Sequence, residues 1–310
     1  MRVIVIGAGV TGLTVGVRLG EAGYEVHLLA RELPLETTSA VAAALWYPYR
    51  AHPVERVLSW SERSLEEFTA LAGGNEDCGV VMRSGMELVR ERNDIPPWAP
   101  VVPDFARLDS APPPYGDAWT FTAPVIEMPV YLTWLRQRLE LAGGTVTRMA
   151  LSALPDRADL VVNCAGIGAR LLASDRSVAP VRGQVVRLAQ VGLERWLLDG
   201  SGLTYVVPRS RDIIVGGTDV EGEWGRGPDP TAAGQILDRA VALLPALADA
   251  AVLGHRVGLR PARPTVRLEL DDSSSGHPII HCYGHGGAGV TLSWGCADDV
   301  LQLVKDLRSR

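Results

Sequence analysis

Arg2-Val3-Ile4-Val5-Ile6-Gly7-Ala8-Gly9-Val10-Thr11-Gly12 opens the chain, and its reading decides the fold. The β-branched run Val3 to Ile6 suits a strand buried on both faces. The spacing then predicts a helix over Val10–Ala22, with Leu13, Val17 and Leu19 among its apolar positions and Gly23 as C-cap. Glu25–Ala30 reads as a second strand, which completes a βαβ unit. Gly7-x-Gly9-x-x-Gly12 at the strand–helix junction is a dinucleotide fingerprint. Gly7 permits the tight turn, Gly9 lets the backbone approach a pyrophosphate, and Gly12 lets helix and strand pack closely. Ala8, Val10 and Thr11 complete a helix N-terminus whose N–H groups and dipole favour phosphate. An acidic residue is expected at the end of the second strand to hold ribose hydroxyls, but Arg31 stands there and Glu32 follows. Glu32 takes that role one residue late, or Arg31 meets phosphate or adenine, or the two form a solvated pair. The fingerprint does not separate NAD from FAD.

The chain has 310 residues, which suggests two domains. Hydrophobic residues make up 47% and charged residues 21%, as in an ordinary globular protein. Lys+Arg is 30 and Asp+Glu is 36, so the net charge is −6, without the basic footprint of a nucleic-acid binder. No uncharged apolar run reaches the roughly 18 residues of a membrane span. Cys78, Cys164, Cys282 and Cys296 are scattered without CxxC spacing, so neither a disulfide framework nor a zinc site is expected. A cytoplasmic protein without a metal is the expectation, with oligomeric state, a homodimer included, left open.

Further along, Arg56–Leu71 and Val130–Ala142 read as helices, and Thr145–Arg148 and Asp159–Asn163 as strands. Residues 92–115 are Pro-rich, which predicts loops and edge strands. Strand signals mark Gln184–Leu188, Thr204–Pro208 and Ile213–Gly216, and Ile236, Leu237, Ala240, Val241 and Leu244 form a helix face. Val300, Leu303, Val304 and Leu307 repeat at helical spacing in the tail. The order predicts an α/β (α+β overall) fold of two interleaved units. A Rossmann-like nucleotide-binding unit would take roughly 1–50, 130–180 and 255–310; a β-rich substrate unit would take roughly 51–129 and 181–254.

Several motifs then fall in a recognisable order. They are Val41-Ala42-Ala43-Ala44-Leu45-Trp46-Tyr47-Pro48-Tyr49, Asn163-Cys164-Ala165-Gly166, Arg182-Gly183-Gln184, Gly258-Leu259-Arg260-Pro261-Ala262-Arg263-Pro264 and Tyr283-Gly284-His285-Gly286-Gly287-Ala288-Gly289-Val290-Thr291. With the N-terminal fingerprint they span the chain and resemble the D-amino-acid oxidase family. That resemblance implies non-covalent FAD and oxidation of a D-amino acid at its Cα–N bond. A hydride passes from Cα to flavin, dioxygen becomes hydrogen peroxide, and the imino acid hydrolyses to a 2-oxo acid and ammonia.

The resemblance also assigns roles. Arg260 would anchor the substrate carboxylate, for which a guanidinium offers paired donors. Tyr205 would donate its hydroxyl to the same carboxylate, and Gly287 would offer its carbonyl to the amine. Thr37, Thr38 and Ser39 would meet pyrophosphate or ribitol. Ala43, Ala44 and Leu45 would run along the isoalloxazine. Gly166, Gly286, Ala288, Gly289, Val290 and Thr291 complete the cofactor set, with the helix after Gly287 pointing its N-terminus at the flavin pyrimidine edge. Arg263 and Arg267 read as partners of carboxylates such as Glu269 or Asp271, and His281 and His285 as no metal pair, because Gly284 and Gly286 argue against a helix there. Gly200-Ser201-Gly202-Leu203 stands where many eukaryotic members carry a lid tyrosine, so a more open site is expected.

Members that oxidise D-aspartate place an arginine after Gly-Gly-Thr, against the substrate side chain. Here Asp219 follows Gly216-Gly217-Thr218, a sign that would repel acidic substrates. Neutral, bulky or basic D-amino acids are therefore favoured, with Asp219 or Glu221 placed to assist a basic side chain. Two other readings stand beside this one: a D-aspartate oxidase or glycine/sarcosine-type amine oxidase of the same superfamily, and a non-catalytic nucleotide-binding protein.

Overall fold

The computed structural model describes residues 1–156, 158–271 and 277–309. Strand β1 (Arg2–Ile6), helix α1 (Val10–Glu21) and strand β2 (Glu25–Ala30) form within a residue of their expected bounds. The chain continues through α2 (Val54–Gly73), β3 (Val80–Val89), β4 (Ala106–Arg107), β5 (Asp117–Ile126), α3 (Met128–Leu141), β6 (Thr145–Arg148), β7 (Leu160–Asn163) and the short α4 (Ala169–Leu172). Its second half holds β8 (Ala179–Ala189), β9 (Trp196–Asp199), β10 (Tyr205–Pro208), β11 (Asp212–Gly216), β12 (Val220–Glu221), α5 (Pro230–Leu243), β13 (Val252–Asp271), β14 (Ile279–His285) and α6 (Gly289–Arg308).

Among the described residues these strands form one mixed sheet, ordered β4-β5-β3-β9-β10-β11-β8-β13-β14-β7-β1-β2-β6, with β12 paired on β8. The segment β14-β7-β1-β2-β6 is parallel, as the βαβ reading requires. The β8–β11 side is antiparallel. Alternation sorts the buried side chains of β1: Val3 and Val5 enter the main core, whereas Ile4 and Ile6 enter a smaller cluster with Val161 and Ile279. The main core also takes Leu13 and Val17 of α1, Trp60 and Phe68 of α2, Tyr131 of α3 and Trp294 of α6. Polar tips are satisfied where large rings are buried, as where Trp294 Nε1 donates to the Tyr131 hydroxyl at 2.8 Å. A separate cluster packs Ile236 and Ala240 of α5 on Val186, Val206 and Val215.

Strand β13 is the long element that the sequence did not suggest. Its first part pairs antiparallel with β8, from Val252↔Leu188 to Ala262↔Ala179. Its second part pairs antiparallel with β14, from Arg267↔Tyr283 to Asp271↔Ile279, after a register shift between Ala262 and Arg267. Pro261 and Pro264 disguise this strand, since proline weakens a strand reading. They fall near the change of partner, where a missing N–H costs least. The antiparallel pair β3–β5, also not indicated by the sequence, runs from Val80↔Ile126 to Val89↔Asp117.

Candidate active site

The carboxyl ends of β1, β2, β7 and β14 open onto one cavity of about 960 Å³, where ligands of doubly wound sheets bind. Gly7, Ala8, Gly9, Val10 and Thr11 line it at one end of the fingerprint turn. Gly7 has φ +106, and a Cβ there would meet the Cys164 carbonyl oxygen at 2.5 Å. The nearest atom to a Cβ on Gly9 would be Ser39 Oγ, at 3.1 Å, on the cavity side. Gly12 does not line the cavity; it packs beneath Gly7, in its expected structural role. Val10 N–H donates to Ser39 Oγ at 3.0 Å, which ties the helix N-terminus to the loop expected beside the pyrophosphate. This glycine cradle and its N–H donors fit a dinucleotide diphosphate.

The other expected cofactor residues divide. Arg31, Glu32, Thr37, Thr38, Ser39, Gly166, Gly286, Gly287, Gly289 and Val290 line the cavity. Ala43, Ala44, Leu45, Ala288 and Thr291 are not among its lining residues. Ala44 instead accepts from Ile126 N–H at 2.9 Å, and Leu45 bridges to Val125, so this stretch is stitched to β5. The Thr291 hydroxyl donates to Tyr47 O at 3.0 Å and accepts from Tyr47 N–H at 3.1 Å; the expected hydroxyl for the cofactor is occupied by backbone. Thr37 donates to Pro34 O and Thr38 to Leu259 O, so their hydroxyls also brace the loop.

At the far end of the cavity Arg260 and Tyr205 come together as expected. The Arg260 Nη1 donates to Thr218 O at 3.0 Å, which fixes the guanidinium. Gly183 on β8 makes room for it, because a Cβ there would fall 2.5 Å from Arg260 Cζ and both Nη atoms. Tyr205 lies across Gly216 and Gly217 with its hydroxyl about 3 Å from where a Cβ on Gly217 would stand. Burial pushes the Tyr205 phenol up, the charge of Arg260 and a hydrogen bond with it pull down, and burial prevails. The hydroxyl thus remains a donor at neutral pH. Gly287 completes the corner: a Cβ there would meet Tyr49 Cδ1 at 2.6 Å and Arg260 Cδ at 3.7 Å.

Asp219 sits behind this corner, with only 4% of its side chain exposed. Its Oδ2 accepts from the Tyr49 hydroxyl at 2.8 Å and pairs with Arg50 Nη1 at 2.9 Å. Its Oδ1 is buried without a hydrogen bond, 3.8 Å from Arg260 Nη1. Burial and the Asp219 carboxylate push the Tyr49 phenol up to about 12. Tyr49, Arg50, Thr218 and Gly183 are site residues that the sequence did not single out by role. The motif letters around them were visible, but no local spacing links Tyr49 to a carboxylate 170 residues away.

The remaining expectations resolve individually. Arg267 pairs with Glu269 at 2.7 Å and Asp271 at 3.5 Å, as expected, whereas Arg263 pairs with Asp175 at 2.9 Å. His281 faces Asn163 and Asp271 and is held low, by burial first and by Arg267 next. His285 faces sulfur: its Nε2 lies 3.9 Å from Cys282 Sγ. Cys282, His285 and Cys296 bring their ligand atoms within 4.8 Å of one another, all buried, a grouping no sequence spacing suggested. Hydrogen bonds from the Cys164 and Cys296 thiols, and from His285, hold the Cys282 thiol well down against burial. All four cysteines are free. Residues 200–203 form a tight β9–β10 turn, closed by Gly202 N–H to Asp199 O at 3.1 Å.

A glycine cradle and an arginine–tyrosine corner share one cavity. The chain belongs to the family of FAD dependent oxidoreductases, whose pattern matches residues 2–303. Within that family it is 51% identical to the D-amino-acid oxidase of Rubrobacter xylanophilus over 98% of this chain and 95% of the relative. It is 43% identical to the D-amino-acid oxidase of Streptomyces coelicolor, over 98% and 96%, and 36% identical to human D-aspartate oxidase, over 98% and 95%. Among solved structures it shares the fold of glycine oxidase from Geobacillus kaustophilus, with TM-score 0.83 at 20% identity over 98% of this chain and 95% of the other. No described helix is long and apolar enough to cross a membrane.

Proposed function

We propose that this protein is an FAD-dependent D-amino-acid oxidase that converts a D-amino acid and dioxygen to a 2-oxo acid, ammonia and hydrogen peroxide. The observation that carries the reading is the Arg260–Tyr205 corner beside Gly287, at the end of the cavity lined by the glycine fingerprint. The D-amino-acid oxidase relatives support the stereochemistry. Bound in the cavity, FAD supplies the hydride acceptor and, in turn, the electron donor to oxygen.

The protein's own groups bind and orient. Arg260 meets the α-carboxylate with its free N–H donors, and Tyr205 donates to the same group. The bond to Thr218 O and the flat contact with Gly183 fix the guanidinium in advance, so the rotamer cost is met before binding. The Gly287 carbonyl receives the amine, which fixes the direction of the Cα–H bond. Neither Tyr205 nor Tyr49 serves as a base, since burial leads in pushing both phenols up. The amine therefore enters the reaction neutral, having lost its proton to solvent.

The favoured substrates carry neutral or basic side chains. Asp219, behind the corner, and Glu221 stand where a cation would be needed to receive a second carboxylate, and Arg50 is already paired with both. The free, buried cysteines are in keeping with a reducing cytoplasm. The deciding experiment is an anaerobic absorbance spectrum before and after D-alanine or D-methionine. Bleaching of the flavin band by the D- and not the L-isomer is expected. A flavin band that no D-amino acid bleaches would refute the substrate reading and direct the search to glycine, sarcosine and other amines.

A further inference from the structure

The nucleotide half does not wall the cavity alone at its Glu32 end. Residues 222–228, between β12 and α5 on the opposite half, send Trp224 and Arg226 into the lining. Arg226 Nη1 donates to Glu32 Oε1 at 2.6 Å across 194 residues of sequence. The base of this loop is built. Arg182, 7% exposed, donates from Nε to Gly225 O at 2.9 Å and from Nη2 to Gly227 O at 2.6 Å. Gln184 exchanges two hydrogen bonds of 2.8 Å with the backbone of Asp229, and Glu223 Oε1 accepts from Gly225 N–H at 2.6 Å. A braced loop thus presents one large ring and one cation.

The ring has no evident structural duty. Trp224 is 52% exposed and belongs to none of the apolar clusters or ring pairs among the described residues. An indole left half in water at a cavity wall suits a planar apolar partner. Glu32 has a vacant function as well. Arg31 Nη2 at 3.1 Å and Arg226 Nη1 at 2.6 Å both bond to Oε1, leaving Oε2 for a hydroxyl donor. Glu32 stands one residue beyond the fingerprint position for the ribose acid.

We propose that residues 222–228 clamp the adenosine end of the cofactor. Trp224 stacks on the adenine face, Arg226 locks the loop onto Glu32, and Glu32 Oε2 accepts from a ribose hydroxyl. The clamp rests on the reading that the cavity holds FAD. It closes the cofactor between the two halves, so FAD affinity depends on a loop outside the nucleotide unit.

The test measures FAD and FMN binding by flavin fluorescence in the full-length wild type, Trp224→Ala, Trp224→Phe and Arg226→Ala. FMN lacks the adenosine, so it reports the flavin end alone. Loss of one aromatic stacking partner predicts a rise in FAD dissociation constant of about 5- to 100-fold for Trp224→Ala. Trp224→Phe should stay near wild type, Arg226→Ala should weaken FAD, and FMN binding should be the same in all four. FAD affinity within twofold of wild type in Trp224→Ala overturns the clamp. So does equal weakening of FAD and FMN, which makes the loop a brace for the whole cavity. Wild-type protein that binds no FAD would instead overturn the cofactor reading.

Discussion

Replacement of Arg260 by alanine tests the anchor most directly. The guanidinium presents two or more charge-assisted hydrogen bonds to a carboxylate, each worth about 1.5–3 kcal/mol. Two such bonds amount to about 3–6 kcal/mol, or about 10²- to 10⁴-fold in kcat/KM. A second consequence is structural. Asp219 Oδ1 loses the cation 3.8 Å away, although Arg50 still pairs with Oδ2. At an effective dielectric near 20 that attraction is about 4 kcal/mol before desolvation is counted. Arg260→Ala should therefore lower thermal stability too, and Asp219→Asn in the same chain should restore part of it. The assay is peroxide release across D-alanine concentrations, with bound FAD measured by absorbance and melting by circular dichroism. FAD content should be unchanged while kcat/KM collapses. A kcat/KM within twofold of wild type would refute the anchor assignment.

Three further outcomes follow from the geometry. Gly9→Val places methyl groups on the phosphate side of the cradle, and should give a folded protein without a flavin band, visible as a normal melt with no flavin absorbance. Asp219→Asn removes the misplaced charge, and should raise kcat/KM for D-aspartate relative to D-alanine by tenfold or more, about 1.4 kcal/mol; an unchanged ratio would discard Asp219 as the discriminator. Burial would push the Asp175 carboxyl up, but bonds from Ser177, Arg263 and Tyr283 hold it well below the usual range. Its folded pKa lies below the unfolded value near 3.9, so its stabilisation is present above that value and fades as pH falls beneath it. Melting temperature should therefore drop more steeply below about pH 4 in wild type than in Asp175→Asn, and parallel curves would argue against the pair.

Much of the site was legible because it rests on local chemistry. The βαβ opening needs a short β-branched run, three spaced glycines and an amphipathic helix, all adjacent in sequence. Arg260 and Tyr205 were found through their motifs, and the structure puts both on the cavity wall. Contacts set by distant packing were not legible in this way. Thr291 carries a hydroxyl, but that it meets Tyr47 depends on packing 244 residues away in sequence. Ala43, Ala44 and Leu45 suit a close approach, and in the structure Ala44 and Leu45 also dock on β5 through Ile126 and Val125. Arg263 found Asp175 and not a carboxylate on its own strand, because β13 changes neighbours there. Periodicity reports which face is buried, and remains silent about what comes to cover it.

The change of neighbours along β13 also governs how the molecule comes apart. One continuous strand carries a ladder to β8 and another to β14, so melting either half strips bonds from the backbone of the other. Arg260 lies on the β8-paired part, two residues before the ladder changes sides at Ala262. Loss of the β8 ladder and loss of the β14 ladder should therefore be coupled, and a single calorimetric transition is the expected outcome. Amide exchange along β13 should be among the slowest in the chain on both sides of the switch.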